Sequence, residues 1–357
     1  MRIVSARAIP VEIRLTEPFA IASETVDRVD NVFFRLETDN GIIGWSCGAP
    51  DTVTSDTAEQ SMHIFNSVIK GMLEGSDPTR IHLLNELIDG KVHGNTSTKA
   101  GVNMALYDIL GKSAGMPLYR LLGGYRDRIE TSVTVGINPT DVMVQKSREW
   151  VSKGFNCLKL KCGINPDEDI DTVLAVRAAV GPDVKIRLDA NEGYSIDDSI
   201  RIVHILEEQG ADMEFLEQPT KAAYLYALKE VTGKCNVPIV ADETALTMRD
   251  SLKLIRMEVA DVVNIKLMKT GGITNAMKVN TFAEIAAIPV MVGCMNESMG
   301  AMAGGVHFAC AFANVKYADL DSTLDIAKDY VKGGARFENG FVIPSEEPGL
   351  GIEVDVE

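Results

Sequence analysis

Three acidic residues follow short apolar runs of the chain at nearly regular intervals. Asp189, Glu217 and Asp242 are 28 and 25 residues apart. Three carboxylates that meet at one point repel one another, and a divalent cation relieves that repulsion. A small number of carboxylate ligands, with positions left open for water and substrate oxygens, suits Mg²⁺ better than Ca²⁺. The pattern therefore predicts a magnesium site formed by these three residues.

Three lysines complete the set of residues that could do chemistry. Lys159 and Lys161 are two residues apart on a predicted strand, so their side chains point to the same face. An ammonium group beside a second one and a metal has a lowered pKa, which lets it act as a base near neutral pH. Lys266 lies 24 residues beyond Asp242. In a barrel it would face the other two lysines, so one lysine could remove the α-proton of a carboxylate substrate and the opposite one return it.

The elements that must position these residues are short β-type runs, each followed by a helix-length amphipathic segment. The acids and lysines stand at the carboxyl ends of five of them. Eight such units in succession predict a closed parallel barrel with its active site at the carboxyl ends of the strands. The predicted strands are 130–136, 155–161, 185–189, 213–217, 238–242, 262–267, 289–292 and 316–320.

The first part of the chain has a different organisation. Residues 1–125 predict an α+β unit, in which the turn Asp39-Asn40-Gly41 joins strands 31–38 and 41–47. Its predicted helices are 58–72, 78–89 and 98–114. We expect residues 126–325 to form the barrel and the Gly- and Pro-rich tail, 326–357, to pack back on the first unit.

Composition limits the possible partners. The formal net charge is −16, and such a surface repels nucleic acid and anionic membranes. No run of about 18 uncharged apolar residues is present, so no transmembrane segment is expected. The first residues lack the apolar core of a signal peptide, and the six cysteines form no C-x-x-C pair. We therefore expect a cytoplasmic protein.

These motifs resemble the enolase superfamily and, within it, the muconate-lactonising subgroup. The resemblance extends along nearly the whole chain and includes MALYDILGKSAGMPLYRLLGG at 104–124. It implies an α/β fold, a (β/α)₇β TIM-like barrel with an α+β capping domain formed by the N-terminal region and the C-terminal tail. Enzymes of this family are commonly oligomeric, which implies a homo-oligomer.

The resemblance also implies roles for individual residues. Lys161 and Lys266 match the acid/base pair of the family, and Lys159 matches its electrostatic support. Asp189, Glu217 and Asp242 match the ligands of one Mg²⁺ per subunit. Asn191 and Glu243, which follow two of these acids, are expected to support them.

Two acids on the eighth predicted strand limit the range of possible substrates. Asp319 and Asp321 share one face of the strand and would offer a substrate ammonium group an anionic pocket. They resemble the D-x-D motif of dipeptide epimerases, which holds the α-ammonium group of the dipeptide. Glu297, in MVGCMNES (291–298), is placed near the same pocket. Alternatively, one acid of the pair faces solvent or caps a turn.

The first loop of the capping unit departs from epimerases that act on Ala-Glu. Those enzymes are expected to have an arginine where this chain has Glu24 in PFAIASETV (18–26). Asp51 adds a second acid from the capping unit. An acidic pocket attracts a lysine or arginine side chain and repels glutamate, which predicts a preference for cationic dipeptides. The alternative is that both acids point to water.

Other functions stay open at this point. The same scaffold supports o-succinylbenzoate synthases, N-acylamino-acid racemases and cycloisomerases, and a synthase needs only one basic lysine. A non-catalytic binding barrel is a more remote alternative, which the complete set of lysines and acids disfavours.

Overall fold

An antiparallel sheet opens the chain in the computed structural model, which describes residues 1–356. Strand β1 (Ile3–Ala20) pairs with β2 (Thr25–Thr38), and β2 pairs with β3 (Ile43–Gly48). The turn between β2 and β3 is the predicted one, and Gly41 adopts a φ of 85°, which glycine reaches without steric strain. The strand β1 was not predicted from the sequence.

Five helices complete the capping unit. The predicted helix 58–72 is interrupted by a π-helical segment, Phe65–Ile69, which separates α1 from α2. Helix α4 packs against β3 and is buried on most of its sides. The helices are α1 (Ala58–Ile64), α2 (Lys70–Leu73), α3 (Ile81–Lys91), α4 (Thr96–Ala114) and α5 (Leu118–Leu121).

Eight parallel strands form the second unit. They are hydrogen-bonded in chain order, which confirms the predicted barrel. A short strand, β4 (Ile129–Glu130), lies outside the barrel and precedes them. The barrel strands are β5 (Val133–Val135), β6 (Cys157–Lys161), β7 (Lys185–Asp189), β8 (Met213–Glu217), β9 (Ile239–Ala241), β10 (Val262–Lys266), β11 (Val290–Gly293) and β12 (Val315–Asp319).

The seam between the first and last barrel strands explains why the predicted strand 130–136 is divided in two. Thr131 donates its backbone N–H to Gly340 in the tail at 3.0 Å, whereas Ser132 donates to Ala318 of β12 at 3.2 Å. The chain therefore changes partners at these two residues. Thr131 Oγ1 also accepts the N–H of Leu320 at 2.8 Å, so a hydroxyl group joins the backbone hydrogen bonds of the seam.

Helices follow seven of the eight barrel strands, and several start at capping side chains. Asn165 and Ser195 cap α7 and α8, and Thr247 forms a capping box with Asp250 at the start of α10. Only a 3₁₀ turn, Ser322–Leu324, follows β12, as the (β/α)₇β arrangement requires. The helices are α6 (Thr140–Ser152), α7 (Pro166–Val180), α8 (Ile196–Glu208), α9 (Leu225–Thr232), α10 (Met248–Met257), α11 (Leu267–Thr270), α12 (Ile273–Ile285) and α13 (Met299–Ala311). In residues 1–356 no helix has the length and hydropathy needed to cross a membrane.

The tail contacts both units. Its strands are β13 (Val331–Gly333), β14 (Ala335–Glu338), β15 (Phe341–Pro344) and β16 (Ile352–Val354). Strand β15 pairs with β4, and Leu118 of α5 donates its N–H to Gly349 at 2.8 Å. These contacts fit the predicted packing of the tail on the capping unit, and the boundaries at residues 125 and 325 stay predictions.

A buried histidine fastens the tail to the barrel and the capping unit. His307 Nδ1 accepts the N–H of Tyr119 at 3.0 Å, and Nε2 lies 3.2 Å from the carbonyl oxygen of Leu350. The imidazole is fully buried, and this burial lowers its pKa to about 4. His307 therefore stays neutral in the folded protein at pH values where it is charged in the unfolded chain.

We predict that stability falls in mild acid because of His307. In the unfolded chain the imidazole has a pKa of about 6.5. Above that pH both states are neutral and the stability of the fold is unaffected, whereas as the pH falls towards 4 the unfolded chain alone binds a proton and the free energy of unfolding decreases. The difference amounts to about 3 kcal/mol. Urea unfolding at pH 7 and pH 4.5 should show a smaller loss of stability in His307→Gln than in the unchanged protein. Equal losses would contradict this assignment.

Candidate active site

The register of the barrel strands brings the predicted residues to one level at the mouth. Lys161 on β6 pairs with Asp189 on β7, which pairs with Glu217 on β8. On the opposite side, Lys266 on β10 and Asp319 on β12 lie at one level across β11. Asp242 directly follows β9.

A cavity of about 390 Å³ lies at this mouth, beneath the loops of the capping unit. Acids outnumber bases in its wall, and no arginine lines it. The cavity therefore favours a ligand that carries positive charge. Its charged lining residues are Glu24, Asp51, Glu192, Glu243, Asp319, Asp321 and Asp325 together with Lys159, Lys161 and Lys266.

Lys159 stands at the centre of the buried charges. Its Nζ lies 2.9 Å from Asp189, 2.8 Å from Glu217 and 2.6 Å from Asp319. Burial alone would lower the pKa of Lys159, but the three carboxylates outweigh it and raise that pKa well above its usual value. Lys159 is therefore a fixed positive charge, and its role as electrostatic support of the reaction stays a prediction.

Lys161 reaches the cavity beside Lys159 and is about one-tenth exposed. It donates to Asp189 at 2.8 Å and to Asn191 Oδ1 at 3.0 Å, and Asn191 Nδ2 donates to Glu243 at 2.9 Å. Burial, followed by the charges of Asp242 and Asp189, raises the pKa of Glu243 to about 8. Asn191 and Glu243 thus orient Lys161 from the side of the cavity.

Glycines let the loops behind Lys161 and Asp189 approach closely. Gly163 has a φ of 110°. A Cβ atom at Gly193 would collide with the backbone of Gly163. A larger side chain at either position would push the two strand ends apart.

Lys266 enters the cavity from the other side and is also about one-tenth exposed. Its Nζ lies 2.8 Å from Asp242 Oδ2, while Asp242 Oδ1 forms an ion pair with the fully buried Lys269. Burial would raise the pKa of Asp242, but these two lysines hold it far below its usual range.

The three predicted metal ligands lie behind the lysines. Burial would raise the pKa of Asp189, but Lys159 and Lys161 lower it to about 2, whereas burial and the charge of Asp189 raise the pKa of Glu217 to about 7. Asn264 Nδ2 donates to Glu217 Oε1 at 2.7 Å. In the part of the chain that the structure describes, no three His, Cys, Asp or Glu side chains are arranged as a ready metal cluster.

The residues nevertheless fit a hard divalent cation. Glu243 Oε2 is buried and accepts no hydrogen bond. Glu217 Oε2 is also buried, and its close partner is the ammonium group of Lys159 at 2.8 Å, without the geometry of a hydrogen bond. A buried carboxylate oxygen without a donor is costly unless a positive charge satisfies it. Oxygen ligands of this kind are those that Mg²⁺ prefers.

Asp319 and Asp321 both line the cavity but have different partners. Asp319 accepts from Ser132 Oγ at 2.7 Å and from Lys159, so both of its oxygens are engaged. Asp321 accepts the N–H of Thr134 at 2.6 Å. Its second oxygen has only the Cys294 thiol, at 3.7 Å, and is therefore the more available for an ammonium group.

Glu24 and Asp51 line the cavity on the side of the capping unit. The hydroxyl group of Thr52 lies 3.1 Å from Glu24 Oε1 and 3.3 Å from Asp51 Oδ1. Asp51 Oδ1 also accepts the N–H of Val53 at 2.8 Å, as in an Asx turn. Glu24 is thus the freer of the two carboxylates.

Glu297 does not have its predicted position. Cys294, Met295 and Asn296 line the cavity, whereas Glu297 is buried behind its wall. Burial raises the pKa of Glu297 to about 8. The three residues before Glu297 in the loop after β11 thus line the cavity, but Glu297 does not.

Comparison with known proteins identifies the family. Residues 3–123 match the mandelate racemase / muconate lactonizing enzyme N-terminal domain, and residues 142–357 match the enolase C-terminal domain-like family. The chain belongs to the enolase superfamily. The predicted family is thereby confirmed.

Several curated members of the superfamily that resemble this chain are epimerases. It is 38% identical over 344 residues to L-Ala-D/L-Glu epimerase of Clostridium acetobutylicum, with 96% of each chain covered. It is 37% identical to hydrophobic dipeptide epimerase of Enterococcus faecalis, with 99% of each covered. It is 35% identical to L-Lys-D/L-Arg epimerase of Desulforapulum autotrophicum, with 96% of each covered. The chain is therefore an isomerase of the racemase and epimerase type.

Solved structures of the superfamily agree with this assignment. The Bacillus subtilis L-Ala-D/L-Glu epimerase in a substrate-liganded complex has a TM-score of 0.96 and 35% identity, with 99% of each chain covered. The Enterococcus faecalis dipeptide epimerase complexed with Mg and L-Leu-L-Tyr also has a TM-score of 0.96, with 36% identity and coverage of 99% of this chain and 100% of that one.

Four residues of this enolase-superfamily site were not predicted from the sequence. Lys269 lies one helical turn after Lys266, and that spacing could have indicated a second lysine near Asp242. Asn264, on the same strand as Lys266 and two residues before it, carries a comparable signal. Ser132 and Asp325 carry no such signal, because their partners come from distant parts of the chain.

Proposed function

We propose that this chain is a magnesium-dependent dipeptide epimerase that inverts the α-carbon of the C-terminal residue. The observation that carries the proposal is the approach of Lys161 and Lys266 to one cavity from β6 and β10, which are four strands apart in an eight-stranded barrel. A substrate carbon between the two ammonium groups has one of them on each face.

The proposed reaction moves one proton off the α-carbon and another onto it. One lysine, as the neutral amine, takes the α-proton on its Nζ, and the opposite lysine, as the ammonium, gives a proton to the other face. The product is the epimer, the two lysines have exchanged protonation states, and the total number of protons is unchanged. One Mg²⁺ per subunit, held by Asp189, Glu217 and Asp242, would draw off the negative charge that develops on the substrate carboxylate. Lys159 adds a fixed positive charge to the same place.

The other end of the substrate is proposed to lie at the eighth strand. Asp321 offers its available oxygen to the dipeptide's ammonium group, and Asp319 adds negative charge beside it. A succinylbenzoate-type substrate has no cation to place there. Cytoplasmic location and assembly into a homo-oligomer stay predictions from the sequence.

A dipeptide library in D₂O with Mg²⁺ tests the proposal by mass spectrometry. We expect one deuterium at the C-terminal α-position together with inversion. N-succinyl amino acids provide the rival class, since N-succinyl-L-Arg/Lys racemase of Bacillus cereus is among the similar proteins. Exchange in N-succinyl amino acids without exchange in any dipeptide would overturn the proposal.

We also propose that the C-terminal residue is cationic. Glu24 and Asp51 line the cavity, and lysine is its only cationic lining residue type. The similar epimerases named above differ in substrate, so the proposed preference for a cationic residue rests on the charge of this cavity.

Reversing the charge of Glu24 should change this preference. In Glu24→Arg we expect kcat/KM for Ala-Lys relative to Ala-Glu to fall by at least about tenfold, because like charges then meet at the specificity loop. Glu24→Gln should give an intermediate ratio, and Asp27→Arg, on the exposed surface of β2, serves as a control for net charge. An unchanged ratio in Glu24→Arg would contradict the proposed preference for a cationic C-terminal residue.

A further inference from the structure

A second cavity, of about 290 Å³, adjoins the active site. It lies between the end of β1 and helix α6. Phe19, Thr134 and Asp325 line both cavities, so the two cavities meet at these residues. The second cavity has no part in the proton transfer described above.

Thr134 links the second cavity to the proposed ammonium site. Its backbone N–H donates to Asp321 at 2.6 Å, and the same residue borders both cavities. The ammonium group and the side chain of an N-terminal residue leave the same α-carbon. When Asp321 holds the ammonium group, that carbon lies beside Thr134, and the side chain can extend into the second cavity.

Asp325 is the acid that faces both spaces. Its backbone is held by Thr16, whose N–H donates to it at 2.7 Å, and by Ser322. In residues 1–356 its carboxylate has no ion-pair partner. Burial, with the charges of Asp321 and Glu17, raises the pKa of Asp325 to about 7, and a cation beside it would stabilise the ionised form.

The other charged groups of the second cavity are already engaged. Lys146 is paired with Glu17, and the ammonium of Lys153 lies 4.1 Å from the centre of the Trp150 ring. Glu149 accepts a hydrogen bond from the Gln145 amide at 2.8 Å. Glu149 is exposed to solvent, whereas Asp325 is half-buried and without an ion-pair partner among residues 1–356, so Asp325 is the carboxylate best placed to meet a ligand.

We propose that the second cavity receives the side chain of the dipeptide's N-terminal residue and that Asp325 selects a cationic side chain there. This inference rests on the proposed dipeptide epimerase function. It is separate from the effect of Glu24 and Asp51, which concerns the C-terminal residue.

The test compares Lys-X with Leu-X dipeptides that share one C-terminal residue. We expect the unchanged enzyme to favour Lys-X, and we expect Asp325→Asn to lower the kcat/KM ratio of Lys-X to Leu-X by at least about tenfold, as loss of a partly buried charge pair predicts. Asparagine keeps the shape of the side chain, and the backbone contacts with Thr16 and Ser322 remain. A thermal melt confirms folding.

Asp141→Asn is the matched control, because Asp141 is exposed on α6 and lines neither cavity. Its ratio should change less than about twofold. An equal change in both variants, or no change in Asp325→Asn, overturns the assignment of Asp325. Absence of exchange in every dipeptide with the unchanged enzyme defeats the proposed function itself, whereas exchange without a preference for Lys-X defeats only this inference.

Discussion

Lys161→Ala and Lys266→Ala should each greatly slow epimerisation while leaving α-proton exchange in one epimer of the substrate. Each lysine serves one face of the α-carbon, so the remaining lysine can still remove and return the proton on its own side. The rate of inversion should fall roughly 10³-fold, as loss of a general acid or base predicts. Deuterium incorporation, measured separately from the L and D epimers, checks this result.

The two variants should be complementary. If one exchanges only the L epimer, the other should exchange only the D epimer. Lys253→Ala, an exposed lysine on α10, should behave as the unchanged enzyme. Loss of exchange from both epimers in one variant, with full exchange retained in the other, would favour a single basic lysine and hence a lyase.

Lys159→Met should lower the free energy of unfolding more than Lys161→Met does when divalent cations are absent. The ammonium group of Lys159 contacts three buried carboxylates, and its removal leaves those of Asp189, Glu217 and Asp319 with less positive charge around them. Breaking a buried ion pair costs about 3–5 kcal/mol. Urea unfolding in EDTA at neutral pH gives the measurement.

Lys161→Met provides the control for Lys159→Met. Lys161 pairs with one carboxylate, that of Asp189, and its other contact is the neutral amide of Asn191. Its loss should therefore cost clearly less. Addition of Mg²⁺ should recover part of the stability of Lys159→Met, since a cation again neutralises the acids. Equal stability of the two variants would refute the central role of Lys159.

The barrel strands that carry the acids could be predicted almost to the residue. Lys185–Asp189 and Met213–Glu217 are short runs that end in an acid, and the observed strands have the predicted bounds. A strand with both faces covered needs no alternation of polar residues. Its length and its flanking residues therefore decide the prediction.

Strand β1 could not be predicted in the same way. Its buried residues Ile3, Ala6, Ile13 and Leu15 do not all lie on one alternating face, and the pairing with β2 shifts register after Ile3. A β-bulge breaks the period of two on which a sequence-based prediction depends.

The position of a side chain within a loop was equally beyond the sequence. Glu297 and Asp325 both follow barrel strands and both are acidic, yet only Asp325 lines a cavity. The direction of each side chain depends on the course of the loop and on contacts with the capping unit. Neither the course of the loop nor these contacts can be inferred from the charge and spacing of residues along the chain.

The first barrel strand pairs with β12, and β4 just before it pairs with the tail. These pairings have a consequence for the order in which parts of the chain fold. Thr134 and Asp321 are 187 residues apart, and β4 needs β15 as its partner. Closing so long a loop costs more entropy than forming the neighbouring β–α–β contacts. Local units along the chain should therefore form first and the seam last. On the ribosome, the barrel stays open until its last strand and the tail have been synthesised.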